Sequence, residues 1–347
     1  MRIHNDAQKI RDELEQERAG RVSVALFGQP GAGKSSLINA IVGKKVAQVG
    51  VETDKTVKQE EYEHNGLNLV DLPGYGTQKF PKETYRDEFA LARFDLFLCV
   101  TSGKFHQADT ELFRALDEMK KVCIFVVNKH DELWEDGVET AELERRKRED
   151  IFKQVGKQVT VIFTSCRKSS GLDQLNTEIL RNLDAAKRER WLRGAKAHSV
   201  KFLKQKREAA EKYVVVAAGA SAANGLNPIP GADIAVDLSV LMKLFMELRE
   251  CFGLSDKVLN SLKESAIPTV SSVANNVVRY AAKEGILLLF KQFLGRQTLK
   301  TISKYVPLIG QAIAASAGFG ITYAVGNSYL DDCYTLAEKI LQDELER

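Results

Sequence analysis

Short apolar runs punctuate the first half of the chain: Val22–Phe27, Leu67–Val70, Leu96–Val100, Val122–Val127 and Val159–Phe163. Runs of this length without alternation read as strands buried on both faces, and the helical stretches between them predict a mostly parallel sheet covered by helices on both sides. Lys34–Val42 reads as the helix after the first strand, and the alternating segment Lys58–Tyr62 as the start of a further strand. From about Gly171 the strand signals fade, and a long helical pattern runs into Lys187–Lys212. Tyr213–Ala232 then carries no charge over twenty residues and is interrupted by Asn224–Gly231, rich in Pro and Gly. A new helix is expected from Ala232 to about Cys251, with Ile234, Leu238, Leu241, Phe245, Leu248 and Phe252 on its buried stripe and Asp233 in its first turn, where a carboxylate favours the helix dipole. The pattern predicts an α/β domain over residues 21–185 and an all-α domain over 186–347.

A length of 347 residues suits two domains, and 44% hydrophobic with 28% charged residues describes a folded chain. Net charge of +3 is too small to imply nucleic acid. Cys99, Cys123, Cys166, Cys251 and Cys333 are scattered, with no C-x-x-C pair and no His cluster beside them, so neither a disulfide framework nor a zinc site is expected. Met1-Arg2-Ile3-His4 offers no signal peptide and no glycine at position 2 for myristoylation. A cytoplasmic protein is expected.

The chemistry sits just after the apolar runs, where ligands lie in parallel sheets. Gly28-Gln29-Pro30-Gly31-Ala32-Gly33-Lys34-Ser35 follows the first run and spells G-x-x-x-x-G-K-S, a loop whose backbone N–H groups curl around phosphates. Gly28, Gly31, Ala32, Gly33 and the following Ser36 belong to this cradle. Lys34 would supply the charge at the β/γ-phosphates and Ser35 a hydroxyl for Mg²⁺. Asp71-Leu72-Pro73-Gly74, 37 residues after Lys34, places a carboxylate for the Mg²⁺ shell and a backbone N–H, that of Gly74, able to sense a γ-phosphate. Asn128-Lys129-His130-Asp131 is an N-K-x-D: an aspartate accepting two hydrogen bonds selects guanine, because adenine presents no such donor pair. A backbone N–H near Ser165 and Cys166 in Thr164-Ser165-Cys166 would meet the guanine carbonyl. GTP/GDP with Mg²⁺ is the expected ligand set. For the threonine that closes on Mg²⁺ and γ-phosphate, Thr53 and Thr56 are both open; Thr56 is preferred because the next strand begins soon after it.

With these motifs in place, residues 21–185 resemble the GTPase family that includes Ras and Era, which implies a P-loop GTPase domain with Lys34, Thr56 and Gly74 at its catalytic centre. In Ras-like proteins a glutamine follows D-x-x-G and orients the attacking water. Here that residue is Tyr75, so slow hydrolysis by the monomer is expected, with the missing group supplied from elsewhere. In the second half, Asn227–Asp237, Phe252-Gly253-Leu254 and Val306–Gly310 resemble the helical domain of the immunity-related GTPases and related bacterial proteins with an Era-like G domain. That resemblance implies a G domain followed by an all-α domain joined by an N-terminal helix over residues 1–20. It also implies GTP-dependent assembly as a homodimer or oligomer across the nucleotide face, and peripheral action at membranes.

Two segments keep alternative readings. Lys187–Lys212 holds ten Lys/Arg against three Glu, either a solvated helix face or a patch for anionic lipid or RNA. Tyr305–Leu330 is uncharged over 26 residues, with Gly310, Ala314, Gly318, Thr322 and Gly326 at every fourth position. Its length suits membrane contact, whereas Gln311, Ser316, Asn327, Ser328 and the Ala/Gly content suit a buried hairpin. An Era-like RNA-recruiting switch and a dynamin-like membrane-remodelling GTPase are the rival functions. Against nucleic acid stand the balanced charge and the lack of a G-x-x-G between short strands after the G domain.

Overall fold

The computed structural model describes residues 8–10, 12–13, 15–16, 20–48, 59–103, 105–225, 227–228, 235–293 and 317–346. The chain divides into two compact units, one of Arg21–His198 and the other of Met1–Gly20 with Ser199–Arg347.

The first unit runs β1 (Val22–Phe27), α1 (Lys34–Val42), β2 (Glu60–His64), β3 (Leu67–Asp71), α2 (Lys82–Glu88), β4 (Leu96–Thr101), α3 (Gln107–Glu118), β5 (Val122–Val127), α4 (Thr140–Val155), β6 (Val161–Phe163), α5 (Leu172–Arg181) and α6 (Ala185–Gly194). The six strands form one sheet in the order β2-β3-β1-β4-β5-β6. All neighbours are parallel except β2, which pairs antiparallel with β3 at the edge. All five apolar runs contain strands, the last only over Val161–Phe163, and the edge strand begins at Glu60 within the alternating segment, of which Lys58 lies outside the described residues. Every residue of β4 is buried, as expected of an inner strand with helices on both faces. Aromatic rings fill one side of the sheet: Phe125 meets Phe113 at 5.0 Å and Phe105 at 5.5 Å, both edge to face. Parallel pairing brings the carboxyl ends of β3, β1, β4, β5 and β6 to one edge, so Asp71, Gly28, Thr101, Asn128 and Thr164 succeed one another along it.

The helix expected across Lys187–Lys212 is two helices, and the boundary expected at 185/186 lies further on. α6 ends at Gly194 and the chain turns extended at Ala195. The next helix opens at Ser199, whose hydroxyl accepts from the Phe202 N–H at 3.1 Å. Trp191 holds α6 to the sheet unit: it is fully buried, and its Nε1 donates to Asn176 Oδ1 on α5 at 3.1 Å. A side chain at Gly194 would place its Cβ 2.6 Å from Leu67 Cγ, so this helix end lies directly on the sheet. The charge run hides these anchors in the sequence.

The second unit contains α7 (Val200–Asn224), the two-residue strands β7 (Asn227–Pro228) and β8 (Ala235–Val236), α8 (Leu238–Cys251), α9 (Asp256–Lys263), α10 (Pro268–Tyr280), α11 (Lys283–Phe293) and α12 (Ala317–Leu345). α8 begins at Leu238 rather than Ala232, because Asp237 caps it: its carboxylate accepts from the Ser239 N–H at 3.0 Å and the Ser239 hydroxyl at 2.6 Å. Asp233 and Ile234 lie outside the described residues. Leu238, Leu241, Phe245 and Leu248 form the buried stripe as expected, and Phe245 stacks on Tyr329 of α12 at 3.8 Å. On α12, Thr322 is fully buried, and a Cβ at Gly326 would lie 2.6 Å from Val214 Cγ1, so this part of the small-residue face lets α7 and α12 close. Gly310 and Ala314 lie outside the described residues. Among the described residues no helix is long and apolar enough to cross a membrane.

Candidate functional site

The loop after β1 is shaped by what surrounds it. Gly28 has φ +135°, and a Cβ there would lie 2.0 Å from the Val100 carbonyl oxygen, so only glycine lets the loop leave the sheet beside β4. Gly33, at φ +91°, is equally constrained, since its Cβ would meet Asn128 Nδ2 at 2.3 Å. Gly31 is exposed at the tip, Ala32 is buried, and Ser35 and Ser36 stand half-buried in the first turn of α1. The amino end of α1 thus faces the strand edge with its free N–H groups, a ready anion site.

Lys34 is almost fully buried and is held over the loop, its Nζ donating to the Gly28 carbonyl at 2.9 Å. The same Nζ is 3.7 Å from Asp71 Oδ1 at the end of β3, and Ser35 Oγ is 3.5 Å from Asp71 Oδ2. Asp71 is 1% exposed and its Oδ1 has no hydrogen-bond donor. Burial pushes its carboxyl up to about 6 even with the Lys34 ammonium beside it. A buried carboxylate with an unsatisfied oxygen, next to a hydroxyl, fits a small hard cation such as Mg²⁺ with oxygen ligands. Gly74, three residues on, is exposed at the start of the following loop. Thr53 and Thr56 both lie outside the described residues.

Asn128 ties the second half of the site to the first. Its Nδ2 donates to the Ala32 carbonyl at 3.1 Å, and its Oδ1 accepts from Thr164 Oγ1 at 3.2 Å and from the Cys166 thiol at 3.5 Å. One buried carboxamide therefore braces the phosphate loop, the end of β5 and the loop after β6. Lys129 takes a left-handed φ of 56°, and His130 N–H donates to the Thr164 carbonyl at 2.9 Å, which fixes the turn that presents Asp131. Hydrogen bonding from the Ser165 hydroxyl, with Arg167 beside it, holds the Asp131 carboxyl below the usual carboxylate range. Ser165 is buried and Cys166 half-buried, and burial pushes the Cys166 thiol up to about 11, so it is no thiolate at neutral pH.

The family model described as Interferon-inducible GTPase (IIGP) matches residues 2–283. The chain belongs to the interferon-inducible GTPase family. It is 26% identical to mouse interferon-gamma-inducible GTPase 10, over 94% of this chain and 83% of that one. It is 25% identical to bovine interferon-inducible GTPase 5, over 99% of this chain and 80% of that one. Among solved structures, the G domain of the T. maritima FeoB iron transporter aligns at a TM-score of 0.33 and 28% identity, covering 47% of this chain and 98% of that one. As an interferon-inducible GTPase, the chain has a P-loop GTPase fold in its sheet unit, binds guanine nucleotide and hydrolyses GTP.

One residue of this interferon-inducible GTPase escapes motif reading, and a second, Tyr75, gains a packing role that its motif position does not show. Gln29, inside the phosphate loop, donates through Nε2 to both oxygens of Asp109 on α3, at 3.3 and 3.2 Å. Asp109 is 5% exposed and burial raises its carboxyl above the usual range, against the pull of Gln29. No motif marks Asp109; the one signal was a carboxylate in line with Leu112, Phe113 and Leu116 on the buried face of α3. Tyr75 packs edge to face on Tyr85 at 5.0 Å, and the Tyr85 hydroxyl donates to the Pro73 carbonyl at 2.6 Å. The ring that replaces a glutamine thus joins the sheet core.

Proposed function

We propose that this family member is a Mg²⁺-dependent GTP switch whose hydrolysis is activated by association with a second copy across the nucleotide face. Gly28, Gly31, Ala32, Gly33 and Ser36 supply the loop that receives the phosphates, and Lys34 carries the positive charge to the β- and γ-phosphates. Ser35 and Asp71 would hold Mg²⁺, which when bound neutralises phosphate charge as transfer proceeds. Thr56 closes over the γ-phosphate and Gly74 N–H senses it. Asn128 and Lys129 build the base pocket, Asp131 accepts the two guanine donors, and the backbone at Ser165 and Cys166 meets the guanine carbonyl. The chain's contribution to the transition state is position and charge rather than covalent chemistry.

The observation that carries the second-copy reading is Tyr75. Its ring is engaged with Tyr85 and offers no amide to orient water, so the group that completes hydrolysis must come from outside this position. Turnover per molecule should rise as protein concentration goes from nanomolar to tens of micromolar; a flat specific activity across that range would remove the idea. Membrane contact would use the basic run Lys187–Lys212 or the uncharged stretch Tyr305–Leu330. In the described part of that stretch Phe319, Val325 and Tyr329 are buried, so self-association is the reading we favour. Co-sedimentation with liposomes under GTP, GDP and no nucleotide would reverse that order if the protein were retained only with GTP.

A further inference from the structure

The carboxylate that would select guanine already has a partner. Asp131 has a side chain only 11% exposed, and its Oδ2 is ion-paired with the guanidinium of Arg167, itself 70% exposed. The backbones on both sides are fixed. Arg167 stands on the short loop 165–170, closed by Ser165 N–H to the Ser170 carbonyl at 3.0 Å and Ser170 N–H back to the Ser165 carbonyl at 3.1 Å. Lys168 N–H donates to Ser165 Oγ at 3.0 Å inside that loop. Asp131 is held by the turn that His130 anchors to Thr164. Two tied-down segments therefore carry the pair, while the Arg167 side chain itself stands largely in solvent.

Guanine offers a carboxylate two coplanar donors, the ring N–H and the exocyclic amine. A guanidinium offers the same two-pronged face. Here one guanidinium nitrogen is ion-paired with Oδ2, one of the two oxygens the base addresses, so the pair and the base compete for it. We propose that Arg167 is a competitive latch on the guanine site, an affinity-setting residue whose ion pair with Asp131 must open before the base can seat. The inference rests on the reading of Asp131 as the guanine-selecting residue. Each binding event gives up the ion pair, and each release is helped by its return. Arg167 thereby lowers affinity and speeds exchange without touching the phosphates. The effect is modest, because an ion pair to an exposed arginine is worth little in water: about two- to fivefold in the dissociation constant.

The test is a mutant cycle read by titration with fluorescent GDP and XDP analogues and by their release rates. Arg167→Ala should bind the GDP analogue about two- to fivefold more tightly, with most of the change in slower release. Asp131→Asn should shift preference from GDP to XDP, because the amide presents a donor to the xanthine 2-oxygen where the carboxylate accepted from the guanine amine. In the Asp131→Asn background Arg167→Ala should change XDP affinity by less than about twofold, since the ion pair is already gone. Weaker or unchanged GDP binding by Arg167→Ala overturns the latch while leaving the base-selecting role of Asp131 standing. Failure of Asp131→Asn to shift preference overturns that role and the latch with it. Because Arg167 is exposed, a thermal melt within about 2 °C of the parent is expected for its alanine variant.

Discussion

Each unit of the chain buries one lysine and one aspartate of special interest, and the two pairs are put to opposite uses. In the sheet unit, Lys34 donates to a loop carbonyl and faces Asp71, whose carboxyl is left one donor short and pushed up to about 6. In the helical unit, Lys206 donates to the Cys251 carbonyl at the end of α8 at 2.7 Å. Asp237 there accepts from the Ser239 N–H, the Ser239 hydroxyl and Asn224 Nδ2. Burial pushes Asp237 up, yet these bonds together hold its carboxyl below the usual range. A buried ionic group that the fold satisfies stabilises the fold, whereas one that the fold leaves short by a partner is poised for a ligand.

The lysines give the largest contrast. Lys34→Ala should lower kcat/KM for GTP by at least about 10²–10³-fold while the sheet unit still melts as a folded domain. Near-normal turnover would sink the site. Lys206→Ala should do the reverse. It strands the Cys251 carbonyl at a helix end and opens a cavity, costing the helical unit about 2–4 kcal/mol, while kcat/KM per folded molecule holds within about twofold at a fixed protein concentration. The units can be followed separately, since Trp134 and Trp191, the only tryptophans, both lie in Arg21–His198. Their fluorescence reports the sheet unit, and a transition seen by far-UV circular dichroism but not by fluorescence reports the helical unit.

Asp71 gives the next effect, and its sign is unusual for a carboxylate. Its folded value of about 6 lies above the ordinary 3.8, so between those pH values the folded chain binds more protons than the unfolded one. Asp71 therefore contributes a fall in stability as pH rises from about 4 to 6, and the full cost, at most about 3 kcal/mol, persists above 6. Asp71→Asn removes that fall but deprives Lys34 of its counter-charge. We expect a net gain of about 1 kcal/mol at pH 8, shrinking toward pH 4, together with loss of GTP hydrolysis. Denaturant melts of parent and variant at pH 5 and pH 8, read by tryptophan fluorescence, check it; equal or lower stability of the variant at pH 8 contradicts the poised-carboxylate reading.

The contrast also explains what could be read from the residues alone. The loop Gly28–Ser35 and the turn Asn128–Asp131 were legible because phosphate and guanine chemistry require fixed residue types at fixed spacing beside strands, and β1 and β5 have the expected bounds. Asp109 was not legible, because its role arises from a contact with Gln29 eighty residues away that no local spacing encodes. Arg167 escaped for the same reason. The extent of the sheet unit was misplaced because the basic run hides Trp191, whose burial, rather than any charge, decides where α6 belongs. In the helical half, periodicity found the stripe of α8 but not its start: the pattern put Asp233 in the first turn, and only the Ser239 contacts mark Asp237 as the cap.

That cap supplies the smallest predicted effect, with a pH dependence opposite to that of Asp71. Asp237→Ala frees the Ser239 N–H and takes a partner from Asn224, costing the helical unit about 1 kcal/mol at neutral pH. Because hydrogen bonds hold the folded carboxyl of Asp237 below 3.8, its stabilisation is complete above that value and is lost as pH falls through the folded value. The difference between parent and variant should therefore be constant from pH 8 to about 5 and shrink below pH 4. Guanine-nucleotide affinity should stay within about twofold, since nothing in the cap resembles the site at Asp71. If Asp237→Ala instead stabilised the protein at pH 8, as Asp71→Asn is expected to, hydrogen-bond satisfaction would fail as the property that separates the two aspartates.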